Sequence, residues 1–121
     1  MKEAFENAAL ATFETMTETS RITPELEATV NTEGFDEKAL LYNWLEALLI
    51  RFETTETLYS RFVITNLQRT SGHCRLEAKV YGERFDPEKH VFRVGVKAVT
   101  YHRMEIKRKP GQVTVKFILD I

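Results

Sequence analysis

Hydrophobic residues recur at two different periods along this chain. Phe5, Ala8, Ala9, Thr12, Phe13 and Met16 are spaced by three and four, the stripe of an amphipathic helix from about Lys2 to Thr17. The stretch "TETS" and Pro24 end it in a loop. "LEATVNT" then sets Leu26, Ala28 and Val30 against Glu27, Thr29 and Asn31, which predicts a strand. After the "EGFD" turn, Asp36 is placed to cap a second helix. Its apolar rows are Leu40, Trp44, Leu48, Phe52 and Leu41, Leu45, Leu49, each stepping by four. Such a wide stripe lies flat on a sheet and belongs to the core.

From Leu58 onward the period is mostly two. Leu58, Ser60, Phe62 and Ile64 share one face of a strand, "RTSG" turns the chain, and Cys74, Leu76, Ala78 and Val80 face inward from the next. "FDPEKH" offers Asp86 as a cap and Pro87 at a first helical position, so one short helical turn is expected there. A long strand is predicted over about Val91 to Lys107. Pro110-Gly111 marks a hairpin, and the last strand, Gln112 to Ile121, pairs antiparallel with the one before. This order predicts a single domain over residues 1–121 of the α+β class. Two layers are expected, with two helices packed on one face of a mostly antiparallel sheet.

Composition narrows the class of function. A 43% apolar and 29% charged chain of 121 residues suits one globular core. Seventeen Lys and Arg against eighteen Asp and Glu leave no basic excess for strong direct binding to nucleic acid. The N-terminus lacks the apolar run of a signal peptide. The lone Cys74 cannot form an internal disulfide, which fits a reducing, cytoplasmic setting. The first helix starts at or beside Met1 with no capping residue ahead of it. Its first N–H groups then have no side-chain acceptor, and the α-amino group sits at the positive end of the helix dipole. A strand and turn are expected ahead of Met1.

No phosphate loop, nucleophile elbow, paired-His zinc motif or C-x-x-C is present. Cys74 reads as a buried structural thiol, because its neighbour His73 points to the opposite face of a strand. His73 and His90 read as solvated surface residues. In "GVKAVTYHRMEI", Lys97, Val99, Tyr101 and Arg103 are placed on one face and Val96, Ala98, Thr100, His102 and Met104 on the other. Polar groups on both faces point to a site near one end of a central strand. At the chain end, Asp120 stands beside the Ile121 carboxylate on an apolar strand, "VKFILDI". Two carboxylates without sulfur or imidazole favour a hard cation such as Ca²⁺ or Mg²⁺, although Ca²⁺ takes about six to eight oxygens and needs further donors.

Several stretches together resemble the archease family: "EAFENAALATFETMT", "LLYNWLEALL", "YGERFDPEKH", "VKAVTYHRMEI" and "ILDI". They follow the family's order over essentially the whole chain. The resemblance implies a small, non-catalytic α+β protein that serves as a cofactor of the RtcB-type tRNA-splicing ligase. That ligase uses GTP and divalent manganese to join RNA ends, and the family promotes its guanylylation and repeated turnover. RNA is reached only through the ligase, and no membrane is involved. The family binds a divalent ion, often calcium, with Mg²⁺ or Mn²⁺ as alternatives, through an acidic residue near the N-terminus and the last two residues. Only the latter map onto this chain, as Asp120 and Ile121. A functionally important lysine maps onto Lys97. The family's leading D-H-T-A-D strand is absent from this sequence, and Gly95 stands where the family usually has an acidic residue.

On this basis Asp120, the Ile121 carboxylate and Lys97 are expected to form one cluster at a sheet edge. A metal-independent, chaperone-like interaction module is the competing expectation. A small hydrolase built on Lys97, Thr100, Tyr101 and His102 lacks any recognisable nucleophile–base spacing.

Overall fold

Both predicted helices form, for the reasons their stripes suggest. In the computed structural model, which describes all 121 residues, α1 spans Lys2–Met16 and α2 spans Glu37–Thr55. The six stripe residues of α1 are all buried, and no side chain caps its first turn. Asp36 does cap α2, its Oδ1 accepting the Ala39 N–H at 2.8 Å. At its other end α2 closes on Glu56, which adopts a left-handed backbone (φ 54°) and donates its N–H to the Phe52 carbonyl.

Five strands follow the predicted order: β1 Leu26–Gly34, β2 Thr57–Thr70, β3 His73–Arg84, β4 Ala98–Lys109 and β5 Gln112–Asp120. All pairings are antiparallel, so the chain is α+β. The strands divide into two sheets, β1-β3-β2 and a β4-β5 ribbon. The expected central strand is therefore one arm of a two-stranded ribbon.

The expected strand from Val91 also begins later, at Ala98. Residues 91–97 instead form an extended strap across the end of α1. Phe92 bridges Thr17, the Arg93 N–H donates to the Met16 carbonyl at 2.7 Å, and the Thr17 hydroxyl donates to the Val91 carbonyl at 2.5 Å. The backbone of the strap spends its hydrogen bonds on the helix end, where carbonyls lack partners. The "FDPEKH" segment makes one hydrogen-bonded turn, with the N–H groups of Lys89 and His90 both donating to the Asp86 carbonyl.

The core lies where α1 and α2 meet the strands. Trp44 is fully buried and donates its indole N–H to the Phe5 carbonyl at 3.0 Å, tying the helices together. Phe13 packs edge-on against Tyr59 and stacks on Phe62, with ring centroids 5.8 Å away in each case. Cys74, Leu76, Ala78 and Val80 face inward as expected. On β2 the alternation breaks: Leu58 and Tyr59 are both buried, because the pairing with β3 shifts between Tyr59 and Arg61. A second shift lies between Ile64 and Asn66, and there Glu6 of α1 accepts the Ile64 N–H at 2.8 Å.

Gly82 marks the tightest backbone approach, since a Cβ there would lie 1.8 Å from the Leu58 carbonyl oxygen. Gly111, in the hairpin turn at φ +74°, has open space around it. Gly82→Ala should cost about 3 kcal/mol in urea unfolding, and Gly111→Ala about 1–2 kcal/mol from backbone strain alone. The reverse ranking would contradict this packing.

Candidate functional site

The last strand stays ordered because one of its faces is apolar. Val113, Val115, Phe117 and Leu119 are half-buried, and Thr114, Lys116, Ile118 and Asp120 point outward. Pairing holds to the end of the strand, where Asp120 stands opposite Ala98. The Lys97 N–H donates to the Asp120 carbonyl at 2.7 Å. Lys97 and Asp120 are therefore joined through their backbones at one exposed end of the ribbon, with Ile121 next in the chain. β5, expected to reach Ile121, stops at Asp120, and Ile121, beyond it, is 61% exposed.

An irregularity in β4 produces this meeting. At the hairpin, Lys109 pairs with Gln112, a register that would carry Asp120 to Tyr101. Between Thr100 and Glu105 the register slips. Thr100 faces Ile118 and Glu105 faces Lys116, so residues 101–104 stand against Phe117 alone. Arg103 adopts a left-handed backbone within this bulge (φ 62°). The slip brings Asp120 opposite Ala98 and so beside Lys97. It also overturns the expected faces: Val99 and Met104 are buried, while Lys97, Tyr101, His102 and Arg103 are exposed.

The carboxylates of Asp120 and Ile121 suit a hard cation in their chemistry. No group of three or more His, Cys, Asp or Glu side chains comes together as a metal site anywhere in the chain. The two adjacent carboxylates are thus a partial donor set, short of what Ca²⁺ requires. Lys97 forms no ion pair with either of them or with any other carboxylate. Its ammonium group is open to an external anion.

Two polar clusters fix the strap that leads into this site. Arg93 donates from Nη1 to the Glu14 carbonyl at 2.8 Å and to its Oε2 at 2.9 Å, placing a cation at the C-terminus of α1. The Thr19 hydroxyl, donating to Glu14 Oε1, is the main cause that lowers the Glu14 carboxyl below its ordinary value. Further along, His90 is buried, contrary to the solvated position expected for it. Its Nδ1 accepts the Asp86 N–H at 2.9 Å, so its Nε2 carries the proton and donates to Glu83 Oε1 at 2.8 Å. The same oxygen takes the Lys89 ammonium at 2.7 Å and the Thr23 N–H at 2.9 Å. Burial pushes the Glu83 carboxyl up, but these donors outweigh it and hold it at about 2. Glu83 of β3, the neighbouring Lys89 and His90 of the next turn, and Thr23 before β1 come from three segments, and no spacing in the sequence announces their meeting. His73 lies exposed, 3.8 Å from Glu33. Burial raises the Cys74 thiol, as suits an inert structural cysteine.

A family model described as the Archease protein family matches residues 1–121. Protein archease of Sulfurisphaera tokodaii is 42% identical across all of this chain and 85% of its own length. Protein archease of Pyrococcus furiosus is 38% identical over the same shares. The solution structure of protein 1598 of Methanobacterium thermoautotrophicum superposes with a TM-score of 0.77 at 37% identity. That match covers 97% of this chain and 84% of the other.

The Glu83 cluster generates a pH signature. A carboxyl held at about 2, against 4.5 ordinarily, stabilises the fold above 4.5, and this stability is lost as pH falls toward 2. Glu83→Gln should lower the unfolding free energy at neutral pH by about 2–3 kcal/mol. The gap between variant and wild type should close as pH drops through that window in urea titrations. A gap independent of pH would contradict the network.

Proposed function

Because this chain belongs to the archease family, we propose that it is a non-catalytic protein cofactor of an RtcB-type, GTP-dependent RNA ligase. In this role it promotes guanylylation and repeated turnover of the ligase in cytoplasmic tRNA splicing and RNA repair, and the RNA ends being joined are held by the ligase. The observation that supports this reading is the backbone hydrogen bond that joins Lys97 to Asp120, the residue before Ile121, at an exposed end of the ribbon. These are the three positions that the family resemblance singles out. No helix of the chain is long and apolar enough to cross a membrane.

Asp120 and the Ile121 carboxylate would hold a divalent ion, Ca²⁺ or alternatively Mg²⁺ or Mn²⁺, with the remaining donors coming from water or from the ligase. Such an ion supplies neutralisation of phosphate charge. Lys97, with no carboxylate of its own to satisfy, is free to contact a phosphate or an acidic group of the ligase. A metal-independent interaction module is the second reading, favoured by the partial donor set at Asp120.

Lys97 and Asp120 are both exposed, and β5 is anchored by its inward row. Lys97→Ala and Asp120→Ala should therefore leave thermal unfolding unchanged. Each should cut multiple-turnover ligation by roughly tenfold or more. A tag appended after Ile121 removes the terminal carboxylate and should act like Asp120→Ala. Wild-type turnover by all three proteins would refute the proposal. Loss confined to Lys97→Ala would favour the metal-independent module.

A further inference from the structure

The charge of this chain is unevenly distributed. Residues 97–121 carry six Lys and Arg against two acidic residues, whereas residues 1–96 carry eleven against sixteen. A formal net charge of −1 therefore conceals a basic ribbon on an acidic body. On its outward side, Lys107 and Lys109 of β4 and Lys116 of β5 are exposed.

Arg103 joins them from the bulge. The bulge opens a recess of about 500 Å³ beside Phe117 and Val115, with Arg103 and Lys116 on its walls. Glu105 lies in the same recess, but its Oε2 is 3.4 Å from the Lys107 ammonium. Arg103 and Lys116 have no ion-pair partner, unlike Arg75, Lys79 and Arg84 of the three-stranded sheet. Tyr101, in the same bulge, is 44% exposed. Its ring is held by Tyr42 of α2, with centroids 5.9 Å apart at 70°. Tyr101 thus stands at the edge of β4, two residues from Arg103, on the side toward α2. Unpaired cations around a recess, with a positioned aromatic ring at the adjoining edge, are what single-stranded nucleic acid needs: charge for the backbone and a platform for a base.

We infer that the outward face of the ribbon, together with the edge of β4 at Tyr101, binds single-stranded nucleic acid. The recess between Arg103 and Lys116 seats one phosphate, and Tyr101 offers its ring to a base. A lone phosphate ion would use the recess and leave the row of Lys107 and Lys109 without a role. An acidic peptide would have no use for the Tyr101 ring. This binding requires no ligase, so it stands apart from the cofactor role: its failure would leave that role untouched.

The test is fluorescence anisotropy of the protein alone with a short labelled oligouridylate. Binding should weaken steeply as salt rises. Arg103→Ala combined with Lys116→Ala should weaken it by about tenfold or more. Arg103→Gly keeps the left-handed backbone accessible, so it should lose affinity with an unchanged thermal melt. Arg84→Ala, which removes a cation from the other sheet, should bind like wild type. Absence of binding at low salt would overturn the inference, as would equal loss with Arg84→Ala. Displacement by millimolar inorganic phosphate would reassign the recess to a free anion, and equally tight binding of oligoglutamate would reassign the face to acidic protein.

Discussion

The position of the β4–β5 ribbon depends on the burial of α2. No strand ladder joins the ribbon to the three-stranded sheet, so the two are held together through the helices. α2 packs against β1, β2 and β3 and also against β4, while α1 reaches β2 and β5. Leu40, Leu41, Trp44, Leu45 and Leu48 are completely buried between them. Each such side chain contributes about 1.5–3 kcal/mol relative to exposure, far more than the polar contacts at the margin. Those contacts set direction instead: Arg108 of the ribbon pairs with Glu37 at the start of α2, and Tyr101 packs on Tyr42.

Charge divides the molecule along the same line. On the three-stranded sheet the outward ions largely satisfy one another. Arg75 lies between Glu33 and Glu77, Lys79 near Glu27, and Arg61 over the ring of Tyr81. Exposed pairs of this kind add little stability, but they leave that face with little free charge for a partner. The ribbon has the opposite character, with Lys97, Arg103 and Lys116 unpaired. One bulge serves both of its ends: it opens the recess at Arg103, and it shifts the register that brings Lys97 to Asp120.

Much of this architecture could be read from local pattern. The α1 stripe, the α2 rows with their Asp36 cap, the inward face of β3 and the Pro110-Gly111 hairpin all appear as expected, since each depends on neighbours a few residues apart. His90 was not legible, because its burial depends on Glu83 and on the course of the strap. Residues 91–97 have strand-like composition, yet Val91 and Arg93 bond the end of α1 and Lys97 bonds Asp120. At the site, the paired carboxylates of Asp120 and Ile121 were legible at the chain end itself, whereas Lys97 came from family resemblance, and no pattern in the residues places the lysine beside the aspartate.

The sequence by itself determined the elements, their order and the α+β class, because side-chain periodicity and turn chemistry act over one or two turns of chain. Only the tertiary structure decided that the strands divide into two sheets, that α2 lies against both, and that β4 bulges at Arg103. A bulge without glycine leaves no local mark, and its three extra residues displace every pairing beyond it. That displacement, with Val99 ahead of the bulge and Met104 at its last residue both packed inward, puts Lys97 next to the end of the chain.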